Sequence, residues 1–274
     1  MYDDSFRSRY NLAPVAISTN DTFGTTPNHI HKAIEMLYIV SGSSKITVSD
    51  KIITAHTGDL IFVNPMEVHS IVVNKGGGAY THHCICFDSE VIADKSLAKD
   101  LLDGKICTQN LFPAGNHLTE TLIKHFITLF YAVKTESKTL AFDTSVCVSQ
   151  IFTELIKENK LLKNPLPEKK LTFTKKVLDY LNEHYHEDIS SKSVAEALFY
   201  TQSYFCRAFK ANFGIPFSYY LNMFRILSAK NKLKDKNKKI IDVAIECGFS
   251  SPTYFTRCFK KSVGFSPAEY RKSQ

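Results

Sequence analysis

One pattern is written twice in the last third of this chain, and a duplicated pattern limits the possible folds more than composition does. The first copy reads Tyr204-Phe205-Cys206-Arg207-Ala208-Phe209-Lys210, then Phe213-Gly214. The second reads Tyr254-Phe255-Thr256-Arg257-Cys258-Phe259-Lys260, then Val263-Gly264. Tyr, Phe, Arg, Phe, Lys and Gly recur at a constant offset of 50, which marks a repeated supersecondary unit. Upstream, Val194-Ala195-Glu196-Ala197-Leu198 answers Val243-Ala244-Ile245-Glu246-Cys247 at an offset of 49. The second connection is therefore one residue longer. A short helix, a tight turn and a longer helix make a helix-turn-helix. Thr201 or Ser203 suits the start of the first long helix; Ser250 or Ser251 with Pro252 suits the second. Phe199 stands where the second copy has Gly248. A side chain tolerates positive φ poorly, so the first turn is expected to take a different backbone shape.

Each long helix divides into two faces. Phe205, Phe209 and Phe213 fall at i, i+4 and i+8, as do Phe255, Phe259 and Val263, and these stripes belong to a core. The opposite face carries Gln202, Ser203, Cys206, Arg207 and Lys210 in one copy. In the other it carries Ser251, Thr253, Thr256, Arg257, Lys260 and Lys261. A charged helix face is ordinarily just solvated surface. Here it is duplicated and cationic, not mixed. Residues 169–274 hold 19 Lys and Arg against 9 Asp and Glu, whereas residues 1–168 hold 15 against 18. A basic domain beside a slightly acidic one points to a polyanion partner for the basic half. The apolar stripes are committed to the core, so no basic helix keeps a free apolar face for a membrane.

Residues 171–272 resemble the DNA-binding domain of the AraC/XylS family of bacterial transcription regulators. The second copy carries the likeness in Ile241, Ala244, Cys247-Gly248-Phe249-Ser250, Tyr254-Phe255, Arg257, Phe259-Lys260-Lys261, Gly264-Phe265-Ser266-Pro267 and Tyr270-Arg271. The resemblance implies seven helices, two helix-turn-helix units and a long joining helix, here about residues 217–234. At 1.5 Å per residue such a helix is about 27 Å long, enough to hold two reading helices about one duplex turn apart. Arg207 and Arg257 are expected to read guanine edges, and Gln202 to read adenine or contact backbone. Lys210, Lys260, Lys261 and the lysines of 232–239 are expected on phosphates.

The N-terminal part is β-rich. Residues 33–40, 45–48, 59–63 and 70–73 read as strands, punctuated by Ser41-Gly42-Ser43, Thr57-Gly58-Asp59 and Gly76-Gly77-Gly78. This predicts a barrel or jelly roll. Within it His29-Ile30-His31, Glu35 and Gly42, then Gly58, Pro65 and His69, resemble the two motifs of the cupin fold. In metal-binding cupins the three His and the Glu are ligands, a set suited to Fe(II), Mn(II), Ni(II) or Zn(II). The run Pro65-Met66-Glu67-Val68-His69 departs from the cupin enzymes in lacking a Gly and in its spacing. It fits the sensor domains of the regulator family, where such histidines can hydrogen-bond an organic effector. The reading therefore favours a small-molecule effector, with His29, His31, Glu35, Tyr38, His69 and His82 as candidates, and expects no metal or other cofactor. Thr81-His82-His83-Cys84-Ile85-Cys86-Phe87 is read as a barrel strand with His82, Cys84 and Cys86 on one face, and not as a metal or redox site.

From residue 89 the period becomes helical. Residues 89–102, 117–133 and 140–162 read as helices, the last two as a pair that can pack on the barrel, on each other or on a second subunit. The resemblance makes residues 117–162 a dimerisation surface. Lys163-Asn164-Pro165-Leu166-Pro167-Glu168-Lys169-Lys170 reads as a linker.

The expected organisation is α+β: a cupin-like sensing barrel (1–88), a helical extension (89–162), a linker (163–170) and an all-α tandem helix-turn-helix domain (171–274). The seven cysteines are odd in number and irregularly spaced, as in a reduced cytoplasmic protein. The N-terminus lacks a signal-peptide order, and no apolar run has membrane-span length. The expected function is sequence-specific transcription regulation, effector-responsive and activating through RNA polymerase. The alternatives are a metal-dependent cupin enzyme carrying a DNA-binding module, and an architectural DNA binder without sequence preference.

Overall fold

The computed structural model describes residues 15–20, 26–49, 51–73, 80–163 and 168–272. The expected Gly76–Gly78 break and the two linker prolines, Pro165 and Pro167, lie outside the described residues. The chain forms two compact units that divide between Leu171 and Thr172.

The first unit is built on two antiparallel sheets. Strands β1 (Val15–Asn20), β3 (Ile34–Ser41), β6 (Leu60–Val63), β8 (Thr81–Phe87) and β10 (Leu111–Phe112) form one, in the order β1-β8-β3-β6-β10. Strands β2 (Thr26–His29), β4 (Ser43–Val48), β5 (Lys51–His56) and β7 (His69–Val73) form the other, in the order β2-β7-β4-β5. Period-two alternation sorts the side chains. Leu37 and Ile39 of β3 and Ile61 and Val63 of β6 meet Ile46, Val48, Ala55 and Ile71 of the second sheet in one core. Their neighbours Ile34, Met36, Leu60 and Phe62 face the other way and join a second core built with helices.

Those helices are α1 (Lys95–Leu102), α2 (His117–Lys134) and α3 (Leu140–Lys157). Phe126, Leu129, Phe130 and Val133 of α2 and Val148, Ile151, Phe152 and Leu155 of α3 are buried against the sheet. Full burial of each such side chain stabilises by about 1.5–3 kcal/mol, so the apolar stripes of the pair make an intramolecular core. The expected helix over 89–102 is split. A single 3-10 turn covers Ser89–Val91, and α1 begins only after Asp94, whose carboxylate accepts from the amides of Ser96 and Leu97. The expected helix over 140–162 ends at Lys157; Leu161–Lys163 is instead strand β11, paired with β9 (Ile106–Thr108). With β10 completing the first sheet, residues 89–163 fold into the same unit as the barrel.

The second unit has seven helices among the described residues: α4 (Glu168–His184), α5 (Ser191–Ala197), α6 (Gln202–Phe213), α7 (Phe217–Lys232), α8 (Ile240–Glu246), α9 (Pro252–Val263) and α10 (Pro267–Lys272). Thr201 caps α6 and Ser251 caps α9, each hydroxyl accepting from the amide three residues on, with Pro252 in the first turn of α9. The two turns share one backbone shape, against expectation. Phe199 has φ of 62° and Gly248 has 81°. Phe199 is 96 % exposed, so its ring meets nothing and the left-handed backbone costs only about 1–2 kcal/mol. At Gly248 a β-carbon would stand 2.7 Å from the Tyr185 carbonyl oxygen and 2.9 Å from Arg225 Nε. Space as well as φ demands glycine there.

Candidate functional site

The duplicated helices keep their two faces. Phe205, Phe209, Phe213, Phe255 and Phe259 are buried. Gln202, Ser203, Cys206, Arg207 and Lys210 of α6 are exposed, as are Thr253, Thr256, Arg257, Lys260 and Lys261 of α9; Ser251 is half-buried at its cap. Pro252, Thr253, Thr256, Arg257, Lys260 and Lys261 line an open cleft of about 620 Å³. A cationic, water-facing surface of this kind suits a phosphate backbone and groove edges.

One helix joins the two faces. Rings of Phe217 and Tyr220 at the start of α7 pack edge-on against Phe209 of the first repeat. Ile226 and Ala229, two turns further on, share a core with Phe255 and Phe259 of the second. A 16-residue helix is about 24 Å long, so α7 is a spacer embedded in both repeats. It also organises α9 directly. Asn222 Nδ2 donates to the Tyr254 hydroxyl at 2.8 Å, and the Arg257 guanidinium lies 5.1 Å from the Tyr254 ring centroid. Lys261 Nζ lies 5.9 Å from the Tyr219 ring. Such cation–π contacts restrain a long side chain before any partner arrives. The sequence pattern marked Arg257 but not this support, which depends on the helix crossing between α7 and α9.

The second candidate site is inside the barrel. His29 and His69 are directly paired across β2 and β7, and their rings lie 4.0 Å apart. Met66 adopts φ of 66° in the turn that leads into β7, which the Glu67 amide closes by donating to the Asn64 carbonyl; the Met66 amide donates to the His31 carbonyl and ties the turn to that segment. Glu67 fixes this turn: its Oε2 accepts from the Asn64 amide, from Asn64 Nδ2 and from Asn110 Nδ2. Glu35 enters from β3 in the other sheet. Its Oε2 lies 2.8 Å from His31 Nε2 and 3.0 Å from His69 Nε2. One donor atom from each of His29, His31, Glu35 and His69 falls within 4.8 Å of the others.

Strand register adds what the sequence did not connect. Glu35 pairs with Cys86 and Leu37 with Cys84 across β3 and β8. The Cys84 thiol donates to Glu35 Oε1 at 3.3 Å, and the two sulfurs are 3.7 Å apart. His82 lies on the same strand face, its ring 5.3 Å from that of Tyr80. Tyr38 does not join this group: it faces the helices, with its ring 6.1 Å from Phe126.

Burial governs the electrostatics. It holds His29 well below the usual imidazole range and brings His31 down to about 4. Burial alone would raise Glu35, but the attraction of His69 and the contacts from His31 and His69 outweigh it and leave the carboxyl well below its usual range. The Cys84 thiol is pushed up by its contact with Cys86 and by burial. An ionised carboxylate is thus held beside His29 and His31, which resist protonation, and beside His69, a donor set that fits a divalent transition metal.

Known proteins resemble the chain along most of its length. Residues 12–130 match the family described as AraC-like ligand binding domain, and residues 194–273 match a helix-turn-helix domain family. YdeC of Bacillus subtilis, described as an uncharacterized HTH-type transcriptional regulator, is 22 % identical over 254 residues, covering 91 % of this chain and 87 % of its own. YijO of Escherichia coli, similarly described, is 38 % identical over 96 residues, 35 % of this chain and 34 % of its own. Among solved structures, an apo form of ToxT from Vibrio cholerae matches with a TM-score of 0.63 at 15 % identity, covering 94 % of this chain and 97 % of that one. That likeness is one of fold.

Proposed function

The chain belongs to the AraC/XylS family of transcription regulators, and from that premise we propose how its two units divide the work. As a ligand-responsive DNA-binding regulator it needs a reading surface and a sensing surface. The exposed faces of α6 and α9 are the reading surface. Arg207 and Arg257 take guanine edges, and Gln202 an adenine or the backbone. Lys210, Lys260 and Lys261 take phosphates, which makes affinity fall steeply with salt. The observation that carries this reading is the repetition of one cationic, exposed face over one buried aromatic face, with α7 packed into both repeats.

The barrel is the sensing surface, and occupancy there biases the orientation or assembly of the reading unit. Self-association runs through α2 and α3, where Tyr131 of the first and Phe142, Val146 and Ile156 of the second remain exposed beside the buried stripes. Activation through RNA polymerase in the bacterial cytoplasm is the outcome we assign. We assign the barrel no catalysis. Among the described residues, no helix is long and apolar enough to cross a membrane.

Selection of bound duplexes from a random library, with the full chain, tests the reading. A specific site is expected to bind about 10³-fold or more tighter than random DNA at physiological salt. Recovery of duplexes with no common sequence would make the chain an architectural binder instead.

A further inference from the structure

The polar cluster inside the barrel contains a conflict of hydrogen bonds that hydrogen bonding alone does not resolve. His31 Nδ1 lies 2.9 Å from the Ala33 carbonyl oxygen, and His69 Nδ1 lies 3.0 Å from the Glu67 carbonyl oxygen. A carbonyl can only accept, so both Nδ1 atoms carry the proton. In the neutral ring the Nε2 atom then presents a lone pair. Yet both Nε2 atoms approach the same oxygen, Glu35 Oε2, at 2.8 and 3.0 Å. Two lone pairs face a third acceptor. One added proton could satisfy one contact but not both. Two added protons would place two cationic rings 4.9 Å apart, centre to centre, in a buried site. A single cation among the three atoms satisfies all of them.

The surroundings are those of a metal centre. The backbone carbonyls on the remote nitrogens of His31 and His69 are the usual outer support of a ligating histidine, fixing the tautomer and the ring. Four donors about 2.1 Å from a central ion lie about 3.4 Å from one another. The donors here are within 4.8 Å of one another, so small side-chain shifts close them around one ion. His31, Glu35 and His69 are buried and His29 is half-buried. These are not the scattered surface carboxylates that mimic cation sites.

Resting on the reading of the barrel as the sensing unit, we propose that its effector is a divalent first-row transition metal. His29, His31 and His69 ligate through nitrogen and Glu35 through oxygen. Cys84 acts as a positioning residue that holds Glu35 through its second oxygen. The ion clamps the two sheets, because β2 and β7 belong to one and β3 to the other. This gives occupancy a direct route to the rigidity of the sensing unit. It also replaces the expectation, drawn from the sequence, of an organic effector with no metal.

The test uses the tag-free full chain, stripped with chelator and titrated with Co(II) as a spectroscopic probe, then with Zn(II). One ion per chain is expected, with the visible absorption of low-coordinate Co(II), no thiolate-to-cobalt charge-transfer band, and a rise in Tm of roughly 5 °C or more. Glu35→Gln keeps the shape of the side chain and is expected to abolish the spectrum while circular dichroism stays native. Cys84→Ala is expected to weaken binding about 10–100-fold without moving the bands, and Cys84→Ser, which still donates to Glu35, to restore most of it. Failure of the folded wild-type chain to bind either metal at micromolar concentration would overturn the proposal, as would binding that Glu35→Gln leaves intact. A thiolate band would overturn the role given to Cys84. Duplex selection run beside these titrations separates the two readings: site-specific DNA binding without metal binding sinks the metal and leaves the regulator standing.

Discussion

Arg225 and Gly248 compete for one space: a β-carbon on residue 248 would stand 2.9 Å from Arg225 Nε. Arg225 cannot yield easily. Its Nε donates to the Tyr185 carbonyl at 2.8 Å and its guanidinium NH2 to the Glu187 carbonyl at 2.7 Å. The helix that joins the repeats is thereby bolted to the segment following α4, at the point where the second turn crosses it.

Gly248→Ala is therefore expected to destabilise the DNA-binding unit by more than about 2 kcal/mol, from crowding added to positive φ. Phe199→Gly, at the matching turn, should leave stability unchanged or raise it by up to about 1 kcal/mol, because it relieves φ strain and removes no packing. Urea unfolding of the full chain, followed by helical circular dichroism, compares the two. Equal losses would mean that the turns are not distinguished by Arg225.

Tyr254 holds Arg257 on its ring and accepts from Asn222. Tyr254→Leu should weaken binding to a selected duplex about 2–5-fold, the loss of about 0.5–1 kcal/mol of restraint, with the fold intact. Tyr254→Phe keeps the ring and should lose less. Fluorescence anisotropy on both variants checks this; a Phe variant as weak as the Leu variant would assign the effect to the hydroxyl alone.

Arg257→Ala should relax base choice at one position of the site at a cost of about 1–3 kcal/mol, whereas Lys260→Ala should weaken all duplexes alike and shallow the salt dependence by about one ion. Binding to a panel of single-base variants at two salt concentrations separates these patterns. Uniform loss in both variants would contradict the roles given.

The metal-free sensing unit should lose stability on acidification. His31 titrates near 6.5 unfolded but at about 4 folded, so the unfolded chain takes up the proton first. Its contribution is complete above pH 6.5, shrinks as pH falls toward 4 by about 3 kcal/mol, and is level below that. Glu35, held below its usual range, acts in the same direction at lower pH. Thermal unfolding of chelator-treated protein from pH 7.5 to 4.5 measures the slope, and His31→Gln should flatten it.

Much of this was legible in the sequence, and the limits of that legibility are physical. The repeat at a fixed offset located α6 and α9, and 3.6-residue periodicity assigned Phe205 and Arg207 to opposite faces. Strand alternation places Leu37 and Ile39 in the barrel, and the same alternation puts Tyr38 on the face opposite Glu35, which removes it from the effector candidates. Turn shape at Phe199 is not legible in the sequence, because exposure, which makes its strain tolerable, is a tertiary property. Cys84 carries no sign of its partner in the sequence, because Glu35 is reached only through the register of β8 on β3. Asn222, Tyr185 and Asn110 carry no local signature; their roles exist only once helices and loops have crossed.

Sharing α7, the helices α6 and α9 are expected to read one duplex as a single rigid unit. The most direct measurement of this is the affinity for a selected site before and after insertion of about five base pairs, about half a helical turn, between the segments read by the two helices. The insertion is expected to take one reading helix out of register and to lower affinity to that of a half-site. Unchanged affinity for the lengthened site would contradict it.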